Sequence, residues 1–144
     1  MTDQVKRLFC FGLGYSARRL ALSLIKEGWS IEGTCRSESK KAELLKLGID
    51  AKIFDGKAPL ADAAVSFARA SHLLISVPPP RGDGGAVKSD PVYDLHSNIL
   101  RTAKHLKWIG YFSTTGVYGD TGGCRVDEIS PVNPSSERSH SRVA

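Results

Sequence analysis

The 144-residue sequence contains no apolar run approaching the ~18–20 residues that a membrane-spanning helix requires. No membrane partner is therefore expected. Its first 14 residues include a basic pair, but the apolar stretch there, residues 8–11, is too short for a secretory signal. A cytoplasmic location is the resulting expectation. Cysteine is scarce: Cys10, Cys35 and Cys124 are odd in number and lie 25 and 89 residues apart. This spacing supports neither a disulfide framework nor a C-x-x-C metal pair. There is no H-E-x-x-H, no G-x-S-x-G and no paired-histidine spacing, so no metal site is expected. His72, His96, His105 and His140 read as isolated surface or core residues. Acidic residues are in modest deficit, 15 against 20 Lys and Arg, for a net charge of +5. The excess is scattered rather than striped. Its concentrations, Lys40-Lys41 and Lys104 with Lys107, fall on predicted helices as solvated faces, and no nucleic-acid partner is expected.

What remains is an ordinary globular composition, 41% hydrophobic and 24% charged, at a length that suits one domain. Residues 5–11, V-K-R-L-F-C-F, form an apolar run that stops at Gly12. Such runs mark strands buried on both faces of a parallel sheet. Residues 15–27 carry Leu20, Leu24 and Ile25 at helical spacing, with Gly28 as a stop. Further strands are predicted at 29–35, 51–54, 72–77 and 108–113. Helices are predicted at 39–47, 60–70 and 92–106, and a Pro- and Gly-rich loop over 78–91. Strands alternating with helices imply right-handed crossovers and helices on both faces of a parallel sheet. The fold class expected is α/β, a Rossmann-like doubly wound parallel sheet of about five strands. Residues 115–139 show no clear element, and a helix begins just before the last residue. The sequence reads as cut before a sixth strand, leaving residues 1–144 as an incomplete domain without a C-terminal substrate-binding region.

The segment Gly12-Leu13-Gly14-Tyr15-Ser16-Ala17 is G-x-G-x-x-A, placed directly after a strand and opening a helix. In that context it is a dinucleotide-binding fingerprint. Gly12 permits the tight turn, Gly14 lets the backbone approach a pyrophosphate, and Ala17 keeps helix and strand close. The free N–H groups of Tyr15 and Ser16, at the positive end of the helix, receive the phosphate charge. NAD selection normally uses Asp or Glu at the tip of the second strand, about 20 residues on. Here the tip is Arg36-Ser37, and Glu32 lies too early. The planar fork of Arg36 suits a 2′-phosphate, with Ser37 and Lys40 or Lys41 in support, so NADP is expected in preference to NAD. Asp55, after the third strand, and Ser76-Val77-Pro78, after the fourth, sit where ligands collect in open α/β sheets. Each reads equally as loop punctuation. The stretch 82–89, G-D-G-G-A-V-K-S, resembles a P-loop in composition only, because Val87 stands where glycine must precede the lysine.

At the end of the fifth predicted strand, Ser113-Thr114-Thr115-Gly116-Val117-Tyr118-Gly119-Asp120 resembles the S-S-x-x-V-Y-G-D segment of extended short-chain dehydrogenases/reductases. Val126-Asp127-Glu128 and Pro131-Val132-Asn133-Pro134 resemble that group's V-x-E-x-x-P-x-x-P stretch. With the glycine turn and Arg36, the resemblance is to the NAD-dependent epimerase/dehydratase family, in an atypical branch. It covers the whole chain in order. It implies a Rossmann cofactor domain and hydride transfer on a small molecule, a sugar-nucleotide-like or carbonyl/alcohol substrate. It also implies that Thr114 holds the substrate oxygen and that a Tyr-x-x-x-Lys moves the proton.

The sequence departs from that pattern at Arg138 and Arg142, which occupy the Tyr and Lys positions. A guanidinium stays protonated, so Arg138 is no proton-transferring base. Arg142 can still bind ribose or phosphate as a cation, and Tyr118 and His140 are the substitute acids within reach in sequence. Two functions follow. One is the NAD(P)-binding part of an atypical epimerase/dehydratase-like oxidoreductase, in which the short chain itself is inactive. The other is a non-catalytic, NADP-responsive binding module. An apolar flank left by a missing sixth strand would favour a homo-oligomer.

Overall fold

The computed structural model describes residues 6–80 and 89–143. Val5 of the first predicted strand, residues 81–88 of the Pro- and Gly-rich loop (with nearly all of the P-loop-like stretch) and Ala144 lie outside the described residues. In chain order the elements are β1 (Arg7–Phe11), α1 (Tyr15–Lys26), β2 (Ser30–Cys35), α2 (Glu38–Lys46), β3 (Asp50–Ile53), α3 (Ala63–Arg69), β4 (His72–Ile75), α4 (Pro91–Thr102), β5 (Trp108–Tyr111) and α5 (Glu137–Val143). A 3-10 turn, Thr115–Tyr118, lies between β5 and α5. The strands form one parallel sheet in the order β3-β2-β1-β4-β5. This is the Rossmann-like α/β fold that the alternation of strands and helices predicts.

The pleat of β1 shows why helices cover both faces. Leu8 and Cys10 point to one side, where Ala17 and Ala21 of α1 and Leu44 of α2 join them. Phe9 and Phe11 point to the other and pack on Phe67 of α3 and Val92 of α4. Phe9 stacks on Phe67 at a centroid distance of 5.9 Å and meets Phe11 edge-on at 5.1 Å. A strand buried on both faces cannot alternate in polarity, hence the continuous apolar run.

Helix ends follow local chemistry. Gly28, at φ +81°, lets its N–H turn back to the Ile25 carbonyl and closes α1. Ser37 caps α2 by accepting from the Lys40 N–H, and Asp90 caps α4 by accepting from the Val92 and Tyr93 N–H groups.

Several boundaries differ from expectation; β4 and β5, predicted to residues 77 and 113, end at Ile75 and Tyr111. The helix predicted over 92–106 ends at Thr102, whose hydroxyl bonds back to the Asn98 and Ile99 carbonyls. Lys104 and Lys107 therefore lie in the following turn and not on a helix. The helix predicted from residue 60 begins at Ala63, because the Leu60 N–H donates to buried His96 Nε2 at 3.0 Å instead. The supposedly featureless stretch 115–139 holds the 3-10 turn and the start of α5. Among the described residues, no helix is long and apolar enough to cross a membrane.

Candidate functional site

The order in which strands add to the sheet reverses between β1 and β4, whose ends lie side by side with Phe11 opposite Ile75. Crevices at such points, beyond the carboxyl ends of the strands, are where open α/β sheets take ligands. The glycine turn follows β1 at this point. Gly12 has φ +88°, and a Cβ there would lie 3.0 Å from Val77 Cγ2 and 3.1 Å from the Val77 nitrogen. Both the left-handed backbone and the contact with β4's exit demand glycine. Thr34, buried near the end of β2, pins the turn twice: its hydroxyl accepts from Gly12 N–H at 2.9 Å and its carbonyl from Leu13 N–H at 2.8 Å. Gly33 makes room for this, since a Cβ there would meet the Cys10 carbonyl at 2.6 Å and Leu13 Cδ1 at 2.7 Å. Sequence reasoning missed both residues. The signal was present in Thr34, a hydroxyl inside an apolar strand, which must find a partner when buried.

Gly14 differs in kind from Gly12. Its φ is −72°, open to any residue, and no atom of the described residues lies within 4 Å of where a Cβ would stand. Among the described residues the space over it is open, and α1 begins at the next residue. Among the described residues no side chain caps α1, and no acid lies in its first turn, whereas α2 and α4 are capped by Ser37 and Asp90. Tyr15 and Ser16 are exposed at this uncapped start, and Ala17 is fully buried against the sheet. An uncapped helix start with its positive dipole end is an anion receptor.

At the tip of β2, Arg36 is exposed and makes no hydrogen bond or ion pair among the described residues. Ser37 uses its hydroxyl oxygen as the α2 cap and lies 3.1 Å from the Ser39 hydroxyl. Lys40 and Lys41 are engaged in ion pairs, with Glu43 at 2.8 Å and Glu38 at 3.9 Å. Asp55 is exposed, its carboxylate accepting from Lys57 N–H at 2.9 Å within its own turn. Ser76 N–H donates to the Phe11 carbonyl; Ser76 and Val77 are half-buried and Pro78 exposed. Burial pushes the Cys10 thiol up to about 12 and raises that of Cys35, so neither is a thiolate at neutral pH.

At the carboxyl end of β5, Thr114 is exposed, and its hydroxyl accepts from Gly116 N–H at 3.2 Å. The fold brings α5 against this turn: a Cβ on Gly116 would lie 2.7 Å from Ser139 Oγ and 3.5 Å from Thr114 Oγ1. Arg142 turns away from solvent. Its Nη1 donates to the Phe112 carbonyl at 2.6 Å, and its guanidinium lies 5.0 Å from the Tyr111 ring centroid. Tyr111 in turn donates to Asp90 at 2.9 Å. Arg138 is exposed and unpaired among the described residues, and His140 Nδ1 lies 2.8 Å from the Ser136 carbonyl. Tyr118 is half-buried with no hydrogen bond among the described residues.

No family model matches the chain. It is 30% identical over 134 residues to protein YeeZ of Escherichia coli K12, which covers 90% of the chain and 48% of that protein. A solved structure of a conserved protein of unknown function from Silicibacter pomeroyi is 35% identical, with a TM-score of 0.76 over 96% of the chain and 46% of its own. The chain thus spans about half the length of the relatives it matches.

More distant solved structures carry functional names. UDP-N-acetylglucosamine 4-epimerase from Bacillus cereus is 16% identical, with a TM-score of 0.64 over 96% of the chain and 45% of its own. A short-chain dehydrogenase/reductase superfamily protein from Agrobacterium tumefaciens, with bound NAD, is 15% identical, with a TM-score of 0.67 over 95% and 42%. Gre2 from Candida albicans, in complex with NADPH, is 16% identical, with a TM-score of 0.65 over 81% and 39%. With its parallel sheet and glycine turn at the switch point, the chain has the Rossmann fold shared by the epimerase/dehydratase and short-chain dehydrogenase/reductase proteins.

Proposed function

We propose that residues 1–144 are the NADP-binding Rossmann part of an epimerase/dehydratase-like oxidoreductase that acts on a carbonyl, alcohol or sugar-nucleotide-like small molecule. The observation that carries this reading is the open space over Gly14, among the described residues, at the start of α1, beside a turn pinned at the switch point. A dinucleotide fits there on physical grounds: among the described residues no side chain caps the first N–H groups of α1 or stands over Gly14. The NADPH and NAD carried by two structures of the same fold support the same reading.

In this assignment Gly12, Gly14, Tyr15, Ser16 and Ala17 hold the pyrophosphate, and Arg36 with Ser37 meets the 2′-phosphate. Asp55, Ser76, Val77 and Pro78 border the adenosine and ribose, and Thr114 holds the substrate oxygen. When bound, the cofactor supplies or accepts the hydride. The protein's part in moving the proton is the open step, because Arg138 cannot give one up near neutral pH. The Thr114 hydroxyl oxygen already accepts from Gly116 N–H, so its proton is available to a substrate oxygen.

One observation favours the second reading, a non-catalytic NADP-responsive module. Arg142, at the position of the catalytic lysine in the resemblance, is spent on the Phe112 carbonyl. Calorimetric titration with NADPH and NADH tests the binding claim, and tighter NADPH is expected. Absorbance at the NADPH band with a carbonyl panel separates the two readings. We expect no turnover from this chain, and turnover abolished by Thr114→Val from a version of the relatives' full length. Silence in both, with NADPH binding retained, would select the module.

A further inference from the structure

Glu43 reaches two cations on two different helices. Its Oε1 accepts from Arg18 Nη1 of α1 at 2.5 Å, and its Oε2 from Lys40 Nζ of α2 at 2.8 Å. Arg18 stands four residues after Gly14, whose carbonyl takes its N–H, and Lys40 stands in the first turn of α2, whose cap is Ser37. The carboxylate thus draws together cations from the two helices that flank the tip of β2, where Arg36 stands unpaired among the described residues. The neighbouring pair Lys41–Glu38 is balanced in charge. Glu43 thus bridges Arg18 and Lys40, Arg36 stands next to the α2 cap Ser37, and the charges of these four groups leave a positive surplus.

We propose that Glu43 is a specificity-determining residue: it gathers Arg18 and Lys40 beside Arg36 as a seat for the 2′-phosphate, and its own charge weakens that seat. The inference rests on the dinucleotide reading above. A phosphomonoester carries about −1.5 to −2 charges at pH 7, whereas the free 2′-hydroxyl of NAD carries none. The Glu43 charge therefore acts on one cofactor and not on the other. The Lys40 hydrogen bond, together with the charges of Lys40 and Arg18, holds the Glu43 carboxyl below its usual range, so it stays ionised at neutral pH. The bridge keeps the cations placed while offsetting one of their charges.

Two probes isolate the seat from the rest of the site: 2′,5′-ADP, which has the 2′-phosphate, and 5′-AMP, which lacks it. Glu43→Gln preserves length and one acceptor, and Glu43 is half-exposed, so the variant keeps the fold. Removing one negative charge near the seat is expected to tighten 2′,5′-ADP roughly three- to tenfold at low salt, less at high salt, and to leave 5′-AMP unchanged. Lys40→Gln is expected to weaken 2′,5′-ADP by a similar factor, again without effect on 5′-AMP. Unchanged or weaker 2′,5′-ADP binding in Glu43→Gln, or an equal shift in both probes, would overturn the role given to Glu43. A wild-type chain that binds neither probe, nor NADPH, would instead overturn the dinucleotide reading itself.

Discussion

The centre of the sheet and its β5 edge are built on different terms. Beyond the carboxyl ends of β1 and β2 the candidate site is an outgrowth of the core. Phe9, Cys10 and Phe11 are fully buried, Leu13 is 3% exposed, and buried Thr34 ties the glycine turn to the neighbouring strand. At the β5 end the strand is an edge, with Trp108 47% and Ile109 53% exposed, and the tip is held by polar tethers from α5. Burial positions a site cooperatively, since moving the turn would open the core. A tether of one guanidinium and one carbonyl positions a site only as firmly as that hydrogen bond. The first is suited to a fixed task. The second is packed on by α5, which carries Arg138 and Arg142, where the chain departs from the Tyr and Lys of the resemblance.

The largest effects should break the centre in two separable ways. Gly14→Val places a branched side chain in the open space over the turn without backbone strain, since φ is −72°. Dinucleotide binding is expected to be lost by at least about 100-fold, with thermal stability unchanged; the turn's role depends on space. Gly12→Ala should do the reverse. A left-handed φ and a Cβ 3.0 Å from Val77 should cost about 1–3 kcal/mol in denaturant unfolding. Binding that survives Gly14→Val would make the turn a packing device only.

Arg36→Ala comes next in size. Loss of a charge-assisted contact of about 1.5–3 kcal/mol should weaken NADPH roughly 10- to 150-fold and leave NADH nearly untouched. Equal NADPH and NADH affinities in the wild type would refute the preference directly.

The same contrast explains what could be read in the sequence. The alternation of strands and helices, the layers and the glycine turn were legible because each rests on local pattern: the apolar run of β1, and glycines at fixed offsets. The tethers were not. Arg142 and the Phe112 carbonyl are 30 residues apart, and Leu60 and His96 are 36 apart. Such pairs leave no periodic trace, and their donors look like ordinary surface or core residues. Arg142 read as a cation awaiting a ligand, whereas the fold spends it on its own backbone. Thr34 and Gly33 lie between these cases, since a buried hydroxyl and a glycine inside a strand are visible anomalies whose partners are not.

A smaller effect, in pH, probes the core side of the sheet. His96 is 2% exposed among Phe11, Phe54 and Phe67, and burial pushes its pKa below 6.5. Its Nε2 accepts from Leu60 N–H, and its Nδ1 lies 3.1 Å from the Val92 carbonyl, so the neutral ring is the form that fits. Burial lowers His72 in the same direction. Below pH 6.5 the unfolded chain therefore binds protons that the folded one refuses. Stability is complete above that pH and falls as pH drops toward the folded pKa values, by up to about 1.4 kcal/mol per pH unit for each proton. Urea midpoints at pH 7.5, 6.5 and 5.5 should show the fall, and His96→Gln should reduce its slope.

The smallest expected effect tests the tethered edge. In Arg142→Gln the guanidinium leaves both the Phe112 carbonyl and the Tyr111 ring. Half-buried and partly screened, the contact should be worth about 1 kcal/mol or less, so global unfolding moves little. The local consequences are sharper. Amide exchange in α5 should rise, because this contact ties the seven-residue helix to the end of β5, while exchange at Leu13 and Thr34 should stay as in the wild type. Tyr111 reports the same change spectroscopically. Burial and the Asp90 carboxylate raise its pKa, and Arg142 works against both. Without the guanidinium the phenol should ionise at still higher pH, read as phenolate absorbance against a Tyr111→Phe control. If exchange instead rises in α5 and at the glycine turn together, the division drawn between a core-built centre and a tethered edge fails, and α5 is part of one cooperative unit with the glycine turn.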